Sequence, residues 1–340
     1  MKLVKTEDAV GQVLCHDMTQ IIRGVKKDAV FRKGHVITEE DIPVLLSIGK
    51  EHIYIWENDE NMLHENDAAK MMYDFCKNEH MYPSEIKEGK IELVAECDGL
   101  LKVDREKLNQ INALGEMMIA CRHGDFPVHT GDKIAGMRVI PLVIEKEKML
   151  RAKEAAGTAT IFALKPFIKK TAGIVTTGSE VYYGRIQDTF TPVVEEKLSE
   201  YGVKVIGHET SDDDPAKTAA SIRGILDKGA ELVVCTGGMS VDPDDRTPAA
   251  IRSVTGTVVT YGAPVLPGAM FMLAYTKEAG VPVVGLPGCV MYAKRTIFDL
   301  VLPRLLAGER LEQKDFSVMG EGGLCLSCPE CTFPNCGFGK

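Results

Sequence analysis

Two glycine-containing turns carry most of the side chains in this sequence that could do chemistry. The first, Thr176-Thr-Gly-Ser-Glu180, directly follows an apolar segment, and the second runs from Thr236 to Asp245. Glycine lets the backbone N–H groups of such turns come close to a ligand, and the neighbouring Thr and Ser hydroxyls add donors. The pattern predicts that both turns hold a phosphorylated small molecule. A plain strand-to-loop turn is the alternative for the first of them.

Carboxylates accompany these hydroxyl groups in both turns. Glu180 lies in the first turn, and the second holds the acidic cluster of Asp242, Asp244 and Asp245. Carboxylates beside a phosphate make chemical sense when Mg²⁺ bridges them, because Mg²⁺ takes oxygen ligands and keeps phosphate oxygens in its shell. The sequence therefore predicts a magnesium ion beside the phosphate. A solvated acidic turn is the alternative interpretation.

A pair of Leu-Pro-Gly triplets occupies 266–268 and 286–288. Pro fixes φ and Gly tolerates a tight turn, so each triplet is expected to close an extended segment. Each is also expected to lead into an apolar helix, which would place a rigid turn and a free helix N-terminus at the same edge of a sheet. The candidate ligand-binding residues of these turns are Pro267, Gly268, Pro287 and Gly288.

Four of the ten cysteines crowd the last sixteen residues, with the spacing C-x₂-C-x₂-C-x₄-C. They are Cys325, Cys328, Cys331 and Cys336. Four thiols this close, beside Gly and Pro turns, can face one centre. In a reducing compartment a metal is favoured over disulfides, so the sequence predicts an iron–sulfur cluster or Zn²⁺ in this tail. A tail that handles sulfur or senses redox state, and a disordered tail without metal, are the alternatives.

The elements that position the two turns alternate between strands and helices. Short apolar segments that predict strands are followed by amphipathic segments that predict helices. The predicted strands lie at 173–177, 203–206, 231–235, 257–259 and 281–285, and the predicted helices at 193–201, 215–228 and 291–306. This alternation is typical of a three-layer α/β/α fold with a mainly parallel sheet, in which ligands bind beyond the carboxyl ends of the strands.

Three helices are predicted to begin with a capping side chain followed by proline. The pairs are Thr191-Pro192, Asp214-Pro215 and Thr247-Pro248. An N-cap side chain accepts from the free backbone N–H groups of the first turn, and proline is favoured at the first helical position. The pattern indicates where these helix N-termini lie.

The N-terminal half predicts a smaller mixed α+β region. Its predicted strands lie at 29–34, 52–56, 91–95 and 138–144, and its predicted helices begin near 38 and span 104–118 and 145–156. The predicted domains are a small α+β domain (1–80), a β-rich region with a helical connector (81–171), the α/β domain (172–308) and a Cys-rich metal-binding tail (309–340).

The overall composition excludes several classes of function. The formal net charge is -9, so no basic field is expected to neutralise a nucleic-acid backbone. An anionic small molecule remains compatible, because helix N-termini and backbone N–H groups bind phosphate without net positive charge. No apolar run reaches about 18 residues and the N-terminus turns acidic early, so neither a membrane span nor a secretory signal is predicted. A cytoplasmic location is expected.

These elements, in this order, resemble the molybdopterin-binding domain shared by molybdopterin molybdotransferases, gephyrin-type proteins and molybdopterin adenylyltransferases. The family's Thr-Gly-Asp-Glu-Leu turn is matched by Thr177-Gly-Ser-Glu-Val181, and its Gly-x-Ile-x-Asp-Ser-Asn stretch by Gly184-Arg-Ile-Gln-Asp-Thr-Phe190. Its Gly-Gly-x-Ser-Val-Gly…Asp loop is matched by Gly237-Gly-Met-Ser-Val-Asp-Pro-Asp-Asp245. Its Pro-Gly and Leu-Pro-Gly-Asn-Pro turns are matched by Pro267-Gly268 and Leu286-Pro-Gly-Cys-Val290. The resemblance covers residues 172–308, and Val10–Asp17 is loosely similar to the opening of the molybdotransferases.

The resemblance implies insertion of molybdate into adenylylated molybdopterin, with Mg²⁺ and release of AMP. The loops at Gly178 and Gly237 would hold the phosphate of the pterin. The implied ligand-binding residues are Thr177, Gly178, Ser179, Glu180, Gly237, Gly238, Ser240, Pro267, Gly268, Pro287 and Gly288. The implied magnesium ligands are Glu180, Asp242 and Asp245, and the implied catalytic residues are Asp188, Asp242 and Asp245. Cleavage would be electrostatic, by neutralising charge on the phosphoryl oxygens, and a homodimer is expected.

The sequence departs from the family pattern in both halves. Ser179 replaces the Asp of the first turn, Phe190 replaces the Asn of the second motif, and Cys289-Val290 replaces the Asn-Pro of the last turn. The family's Asp-Gly-Tyr-Ala element has no counterpart in the N-terminal half. These departures keep open a non-catalytic carrier or chaperone that delivers cofactor to a molybdoenzyme or another protein of the pathway. Asp245–Pro248 resembles the adenylyltransferase loop, so AMP transfer is a further alternative, and nucleotide hydrolysis is a third.

Overall fold

The computed structural model describes residues 2–22, 24, 26–55, 59–158 and 161–340, with the backbone alone at 26 and 27. Its strands are β1 (Lys2–Lys5), β2 (Met18–Ile22), β3 (Lys26–Phe31), β4 (His52–Ile55), β5 (Met62–His64), β6 (Met81–Pro83), β7 (Lys90–Ala95), β8 (Gly99–Val103), β9 (Met117–Cys121), β10 (Phe126–Val128), β11 (Lys133–Val139), β12 (Val143–Glu145), β13 (Phe162–Pro166), β14 (Thr171–Thr177), β15 (Lys204–Ser211), β16 (Val233–Thr236), β17 (Thr257–Tyr261), β18 (Met272–Tyr275) and β19 (Pro282–Leu286).

The helices follow the same chain order. They are α1 (Asp41–Ser47), α2 (Glu65–Cys76), α3 (Arg105–Asn112), α4 (Lys146–Ala156), α5 (Ser179–Tyr182), α6 (Phe190–Ser199), α7 (Pro215–Asp227), α8 (Thr247–Val254), α9 (Ile297–Leu306) and α10 (Gln313–Ser317). Within the described ranges, none of them combines the length and the apolar character that crossing a bilayer requires. Trp56, predicted to end the strand that begins at His52, lies outside the described residues.

The chain divides into two compact units whose sequences are interleaved. The N-terminal unit comprises residues 1–96, 103–122 and 131–163, and the C-terminal unit comprises 97–102, 123–130 and 164–340. The two short segments of the C-terminal unit, 97–102 and 123–130, pair as antiparallel strands, with Leu101 of β8 opposite Phe126 of β10. Both units therefore contain segments from the middle of the sequence.

The N-terminal unit is a mixed α+β structure, as predicted. Its main sheet is antiparallel, in the order β6-β7-β11-β9, and α2 packs against β7 and β11. The His64 side chain caps α2 by accepting a hydrogen bond from the Asn66 backbone N–H. The strand pairs β1–β4, β2–β3 and β5–β12 complete the pairing. One buried cluster of this unit includes Leu14, Met18, Ile37, Leu45 and Ile53.

Two predictions in this unit were wrong. The helix predicted at 104–118 ends at Asn112, because the chain turns at Gly115 with φ 73° and enters β9 at Met117. Residues of β9 pair with β11, so tertiary pairing overrides the local helical pattern. The strand predicted at 138–144 is divided between β11 and β12, which belong to different sheets.

The C-terminal unit contains a six-stranded sheet in the order β15-β14-β16-β19-β18-β17. The first four strands are parallel, and β18 runs antiparallel to both of its neighbours. Successive residues point to opposite faces of the sheet, so Ile174 joins the cluster containing α6 and α9, and Val175 joins the cluster containing α7 and α8. Helices thus cover both faces, and the predicted three-layer α/β/α fold is confirmed.

The apolar segment after Gly268 forms a strand rather than the predicted helix. Met272–Tyr275 is completely buried and hydrogen-bonds on both sides, to β17 and to β19. A short, continuous apolar run is compatible with a central strand or with a buried helix, and its length favours the strand. The closing helix also begins later than predicted, at Ile297, because Thr296 and Asp299 form a capping box there.

Only one of the three predicted caps lies where the sequence placed it. Asp214 caps α7 by accepting from the Ala216 backbone N–H. Thr191 and Thr247 instead lie inside the first turns of α6 and α8, whose N-cap residues are Thr189 and Arg246. In α6 the capping carboxylate is that of Asp188, which accepts from the backbone N–H groups of residues 190 and 191.

Glu309 anchors an ion-pair cluster in the C-terminal unit. Its carboxylate lies 2.9 Å from Arg304 Nε, 3.0 Å from Lys165 Nζ and 2.9 Å from Lys102 Nζ. Burial alone would raise the pKa of Glu309, but hydrogen bonds from these cations outweigh it and lower the pKa to about 2. A depressed pKa in the folded state contributes stability that is present above the unfolded value and is lost as pH falls through the folded one.

We therefore expect the free energy of unfolding of Glu309→Gln to depend less on pH in the acid range than that of the wild type. Above about pH 5 the variant should be less stable than the wild type by a constant amount, and the gap should shrink as pH falls from about 4.5 towards 2. Urea unfolding at a series of pH values measures this. A gap of unchanged size at the acid end would contradict the assignment.

Candidate functional site

The carboxyl ends of the four parallel strands lie side by side. Thr177 pairs with Ser211, and Thr236 pairs with Thr176 and Leu286. The loops that follow these strands therefore emerge along one line, which we call the carboxyl edge. Both predicted ligand turns, at Gly178 and Gly237, begin there, as expected for a ligand site of a parallel sheet.

The two turns contact each other directly. Gly237 has φ 83°, and a Cβ at this position would lie 2.1 Å from the Thr177 carbonyl oxygen. A Cβ at Gly238 would lie 2.8 Å from Thr247 Oγ1. Thr177 Oγ1 donates to the Thr236 carbonyl at 3.1 Å and lies 2.8 Å from Thr247 Oγ1. The glycines are thus required by close approach, and the buried Thr177 hydroxyl holds the loops together.

In the first turn, a carboxylate already occupies one backbone donor. Gly178, with φ 135°, leads into α5, and the Ser179 N–H donates to Asp213 Oδ2 at 3.0 Å. The exposed Glu180 folds back over Gly178, where a Cβ would lie 2.9 Å from its Oε1. Sequence reasoning missed Asp213, although its position directly after β15 at the same edge was a usable signal. A phosphate in this turn would have to displace that carboxylate.

The second turn presents its polar groups to solvent. Ser240, Asp242 and Asp244 are exposed, Asp245 is half-buried, and the Asp245 N–H donates to the Asp242 carbonyl at 2.9 Å. Tyr261, at the end of β17, supports this turn, since its hydroxyl donates to the Met239 carbonyl at 3.0 Å. Sequence reasoning also missed Tyr261, because nothing in its local pattern points to a loop far away in the chain.

The acidic side chains do not gather into a closed metal site. Across the described residues, no three His, Cys, Asp or Glu side chains are close enough together to hold a metal ion. Mg²⁺, however, is usually bound by one or two carboxylates together with the phosphates of a substrate. Asp242 and Asp245, one turn apart and accessible, fit that donor set. The magnesium site, with Glu180 as a third ligand, stays a prediction.

Asp188 is held by several hydrogen bonds at the start of α6, and the catalytic role implied for it stays a prediction. Its carboxylate accepts from Thr191 Oγ1 at 2.6 Å, from Thr176 Oγ1 at 2.9 Å and from the Phe190 N–H at 2.8 Å. Burial would raise the pKa of Asp188, but the hydrogen bonds, first those from Thr191, lower it. Nε2 of His208 lies 3.3 Å from the same carboxylate. The geometry supports a positioning role, in which Asp188 fixes the start of α6 beside the end of β14.

Both Pro-Gly turns lie at the carboxyl edge. The first leads into β18, whose Met272 pairs with Gly285 near the end of β19. The Ile297 N–H donates to the Pro267 carbonyl at 3.2 Å, and a Cβ at Gly268 would lie 2.5 Å from the Ile297 side chain. The second turn has Pro287 buried and Gly288 exposed at the start of a single 3₁₀ turn. The structure thus brings both predicted turns to the edge that carries the glycine loops.

The tail cysteines are free thiols in the structure. Cys325 and Cys336 are half-buried, and Cys328 and Cys331 are exposed. The metal centre predicted for them stays a prediction.

Residues 173–307 match the model of a family described as a probable molybdopterin binding domain. The resemblance inferred from the motifs is thereby confirmed for the C-terminal α/β domain. Residues 3–57 match a second family, described as a domain of unknown function.

Individual relatives match only part of this chain. A CinA-like protein of Mycobacterium sp. strain MCS is 38% identical over 85 residues, which make up 25% of this chain and 20% of that protein. The chain thus spans about a fifth of the length of this curated relative. Among solved structures, the molybdopterin biosynthesis enzyme MoaB of Thermus thermophilus is 24% identical, with 41% of this chain and 98% of that chain covered and a TM-score of 0.36. The CinA protein of Thermoplasma acidophilum, of unknown function, is 19% identical, with 35% and 89% covered and a TM-score of 0.30.

Proposed function

We propose that the domain binds molybdopterin at its carboxyl edge and that the protein acts in molybdenum cofactor assembly, inserting molybdate into adenylylated molybdopterin with release of AMP. One observation carries the binding part of this proposal. The Gly237-Gly238 loop is locked onto Thr177 at the end of the neighbouring strand, so that a phosphate could contact two loops at once. The family match of residues 173–307 supports the identity of the ligand.

The backbone of the two loops would do most of the binding. Glycine at 237 and 238 would let the N–H groups of the second loop come close to a phosphate, and Tyr261 holds that loop through the Met239 carbonyl. Hydrogen-bond donors that are already in position contribute most where charge develops on phosphoryl oxygens. The orientation of the phosphoanhydride would thus be set by groups that need no rearrangement.

The carboxylates explain why a cation would be needed. Asp213, Asp242 and Asp245 surround the loops with negative charge, which would repel a phosphorylated ligand that arrived alone. Asp242 and Asp245 would hold Mg²⁺, which when bound would neutralise charge on the phosphoanhydride. Asp188 would act at a distance, by keeping the start of α6 and the end of β14 in register.

An AMP-release assay tests the catalytic part. With adenylylated molybdopterin, molybdate and Mg²⁺, the wild type should release AMP. Asp245→Ala should lower the rate by about 100-fold or more, because a ligand of the Mg²⁺ that would neutralise the phosphoanhydride is lost. Asp227→Ala, an exposed carboxylate at the end of α7, is the matched control and should keep the wild-type rate. An Asp245→Ala variant as fast as this control would refute the assignment.

A carrier or chaperone is the second candidate, and two observations favour it. Ser179 stands where the family has Asp, and the Asp188 carboxylate is already saturated with hydrogen bonds. A carrier would bind the pterin tightly and release no AMP. Native mass spectrometry of the purified protein would identify a bound pterin, and the AMP assay on the same preparation would separate the two candidates.

A further inference from the structure

All four tail cysteines line a single cavity of about 460 Å³, which we call the tail cavity. Its walls are formed by the tail itself and, opposite, by Pro267 and the loop 292–295. The cysteines are spread over twelve positions of the sequence, from Cys325 to Cys336. The fold of the tail, and not only the spacing of the cysteines in the sequence, therefore brings them to one cavity.

The tail is held in place on both sides of this cavity. Leu266 donates its N–H to the Gly323 carbonyl, and Cys325 donates its own to the Leu266 carbonyl, each at 2.8 Å. At the other end, the Gly339 N–H donates to the Gly322 carbonyl at 2.9 Å, and Phe338 is buried in the core cluster. The half-buried thiols, Cys325 and Cys336, pack against that same core cluster. Two potential ligands are therefore fixed by the fold.

The other two thiols lie on an exposed segment between these fixed ends. Cys328 and Cys331 are exposed, and the chain between Cys325 and Cys328 passes through Ser327 with φ 52°. No three of the four thiols, all of which lie within the described residues, are close enough together to hold a metal ion. Sites of this kind commonly assemble only when the metal binds, because the ligands otherwise lack a common partner.

The surroundings suit a negatively charged centre. Lys294 donates to the Pro329 carbonyl at 3.0 Å, and the guanidinium of Arg295 lies 5.2 Å from the centre of the Phe333 ring. Both residues line the tail cavity. Four thiolates around Zn²⁺ or around an iron–sulfur cluster carry net negative charge, which these cations would offset.

We propose that Cys325, Cys328, Cys331 and Cys336 bind one thiophilic metal centre in the tail cavity. The half-buried pair provides the fixed ligands, and the exposed pair closes over the metal. Each thiol releases its proton to solvent as it becomes a ligand, so binding weakens as pH falls. Because Pro267 lines the same cavity, the centre adjoins the Pro-Gly turn at the carboxyl edge. The proposal does not depend on the reaction proposed above.

Metal analysis of the full-length protein, purified without oxygen, tests the site. Its metal content is measured as isolated, and again after chelation and titration with Zn²⁺, or with ferrous iron and sulfide. We expect the wild type to hold one centre per chain and to protect its tail thiols from a thiol reagent. Visible absorption distinguishes an iron–sulfur cluster from colourless zinc.

Two double variants make the test specific. Cys328→Ser with Cys331→Ser changes exposed side chains only and should lower the retained metal by at least about tenfold. Cys97→Ser with Cys121→Ser, two half-buried thiols outside the tail, should retain it. Circular dichroism checks that both variants fold. Equal metal content in the two variants, or a wild type whose tail thiols stay reactive in excess Zn²⁺ and after iron and sulfide treatment, would overturn the proposal.

Discussion

Gly237→Ala is expected to destabilise the protein by about 3 kcal/mol and to abolish pterin binding at the carboxyl edge. The new methyl group would lie 2.1 Å from the Thr177 carbonyl oxygen, on a backbone with φ 83° that L side chains rarely adopt. The loop would have to move away from β14, which breaks the contact between Thr177 and Thr236. Urea unfolding measures the loss of stability, and native mass spectrometry measures retention of the pterin.

Gly229→Ala separates backbone strain from close approach. Gly229 has φ 87°, almost the same as Gly237, but a Cβ there would meet no atom within 4 Å. It should cost only about 1 kcal/mol and leave ligand binding unchanged. If Gly237→Ala and Gly229→Ala lower the free energy of unfolding equally, the close approach of Gly237 to Thr177 does not contribute to stability.

Asp299→Ala should cost about 4 kcal/mol, the largest loss expected from any ion pair described above. Asp299 is almost fully buried, and its carboxylate lies 2.7 Å from Lys197 Nζ and 2.9 Å from Arg295. It also accepts from the Thr296 N–H at 2.7 Å in the capping box of α9. Removing it leaves the buried ammonium of Lys197 without its counter-charge, and that uncompensated charge is the main cost. Chemical denaturation of the variant measures it.

Asp315→Ala is the matched control for this prediction. Asp315 holds the same position in the capping box of α10 and lies 2.8 Å from Arg304, but it is more exposed. Its loss should cost only about 1 kcal/mol. Adding Lys197→Met to Asp299→Ala should restore part of the stability, because the unpaired charge is then gone. Equal costs for the two aspartates, with no rescue by methionine, would contradict the explanation.

The parallel part of the sheet could be predicted from sequence because each strand is a short β-branched run that ends in a glycine or a polar turn. Those same runs place Gly178 and Gly237 at the carboxyl edge without further information. The antiparallel strand β18 could not be predicted, since Phe271–Tyr275 is apolar without alternation and its identity as a strand depends on pairing with β17 and β19. Partners that are distant in the chain decide such segments.

In the candidate site, too, some features follow from local sequence and others depend on contacts between distant segments. Glycine positions and the acidic turn follow from local sequence, because a tight turn requires particular residue types. The supporting contacts of Asp213 and Tyr261 depend on which strands are neighbours, and a single sequence carries no record of that. The capping of α6 by Asp188 could not be predicted locally either, because the motif implied a catalytic role, which stays a prediction.

Because the two units are interleaved, residues 173–307 alone do not contain the whole core of the molybdopterin-binding domain. A fragment that begins at residue 164 lacks Leu100 and Phe126, both of which belong to the core cluster beneath α9. No single cut separates the two units completely, because their segments alternate between residues 97 and 163. The gene segment encoding 173–307 matches a family on its own, yet in this protein its core is completed by residues encoded well upstream. Recombination at residue 173 would separate Leu100 and Phe126 from the core cluster that they complete. The upstream segments and the family domain must therefore be inherited together.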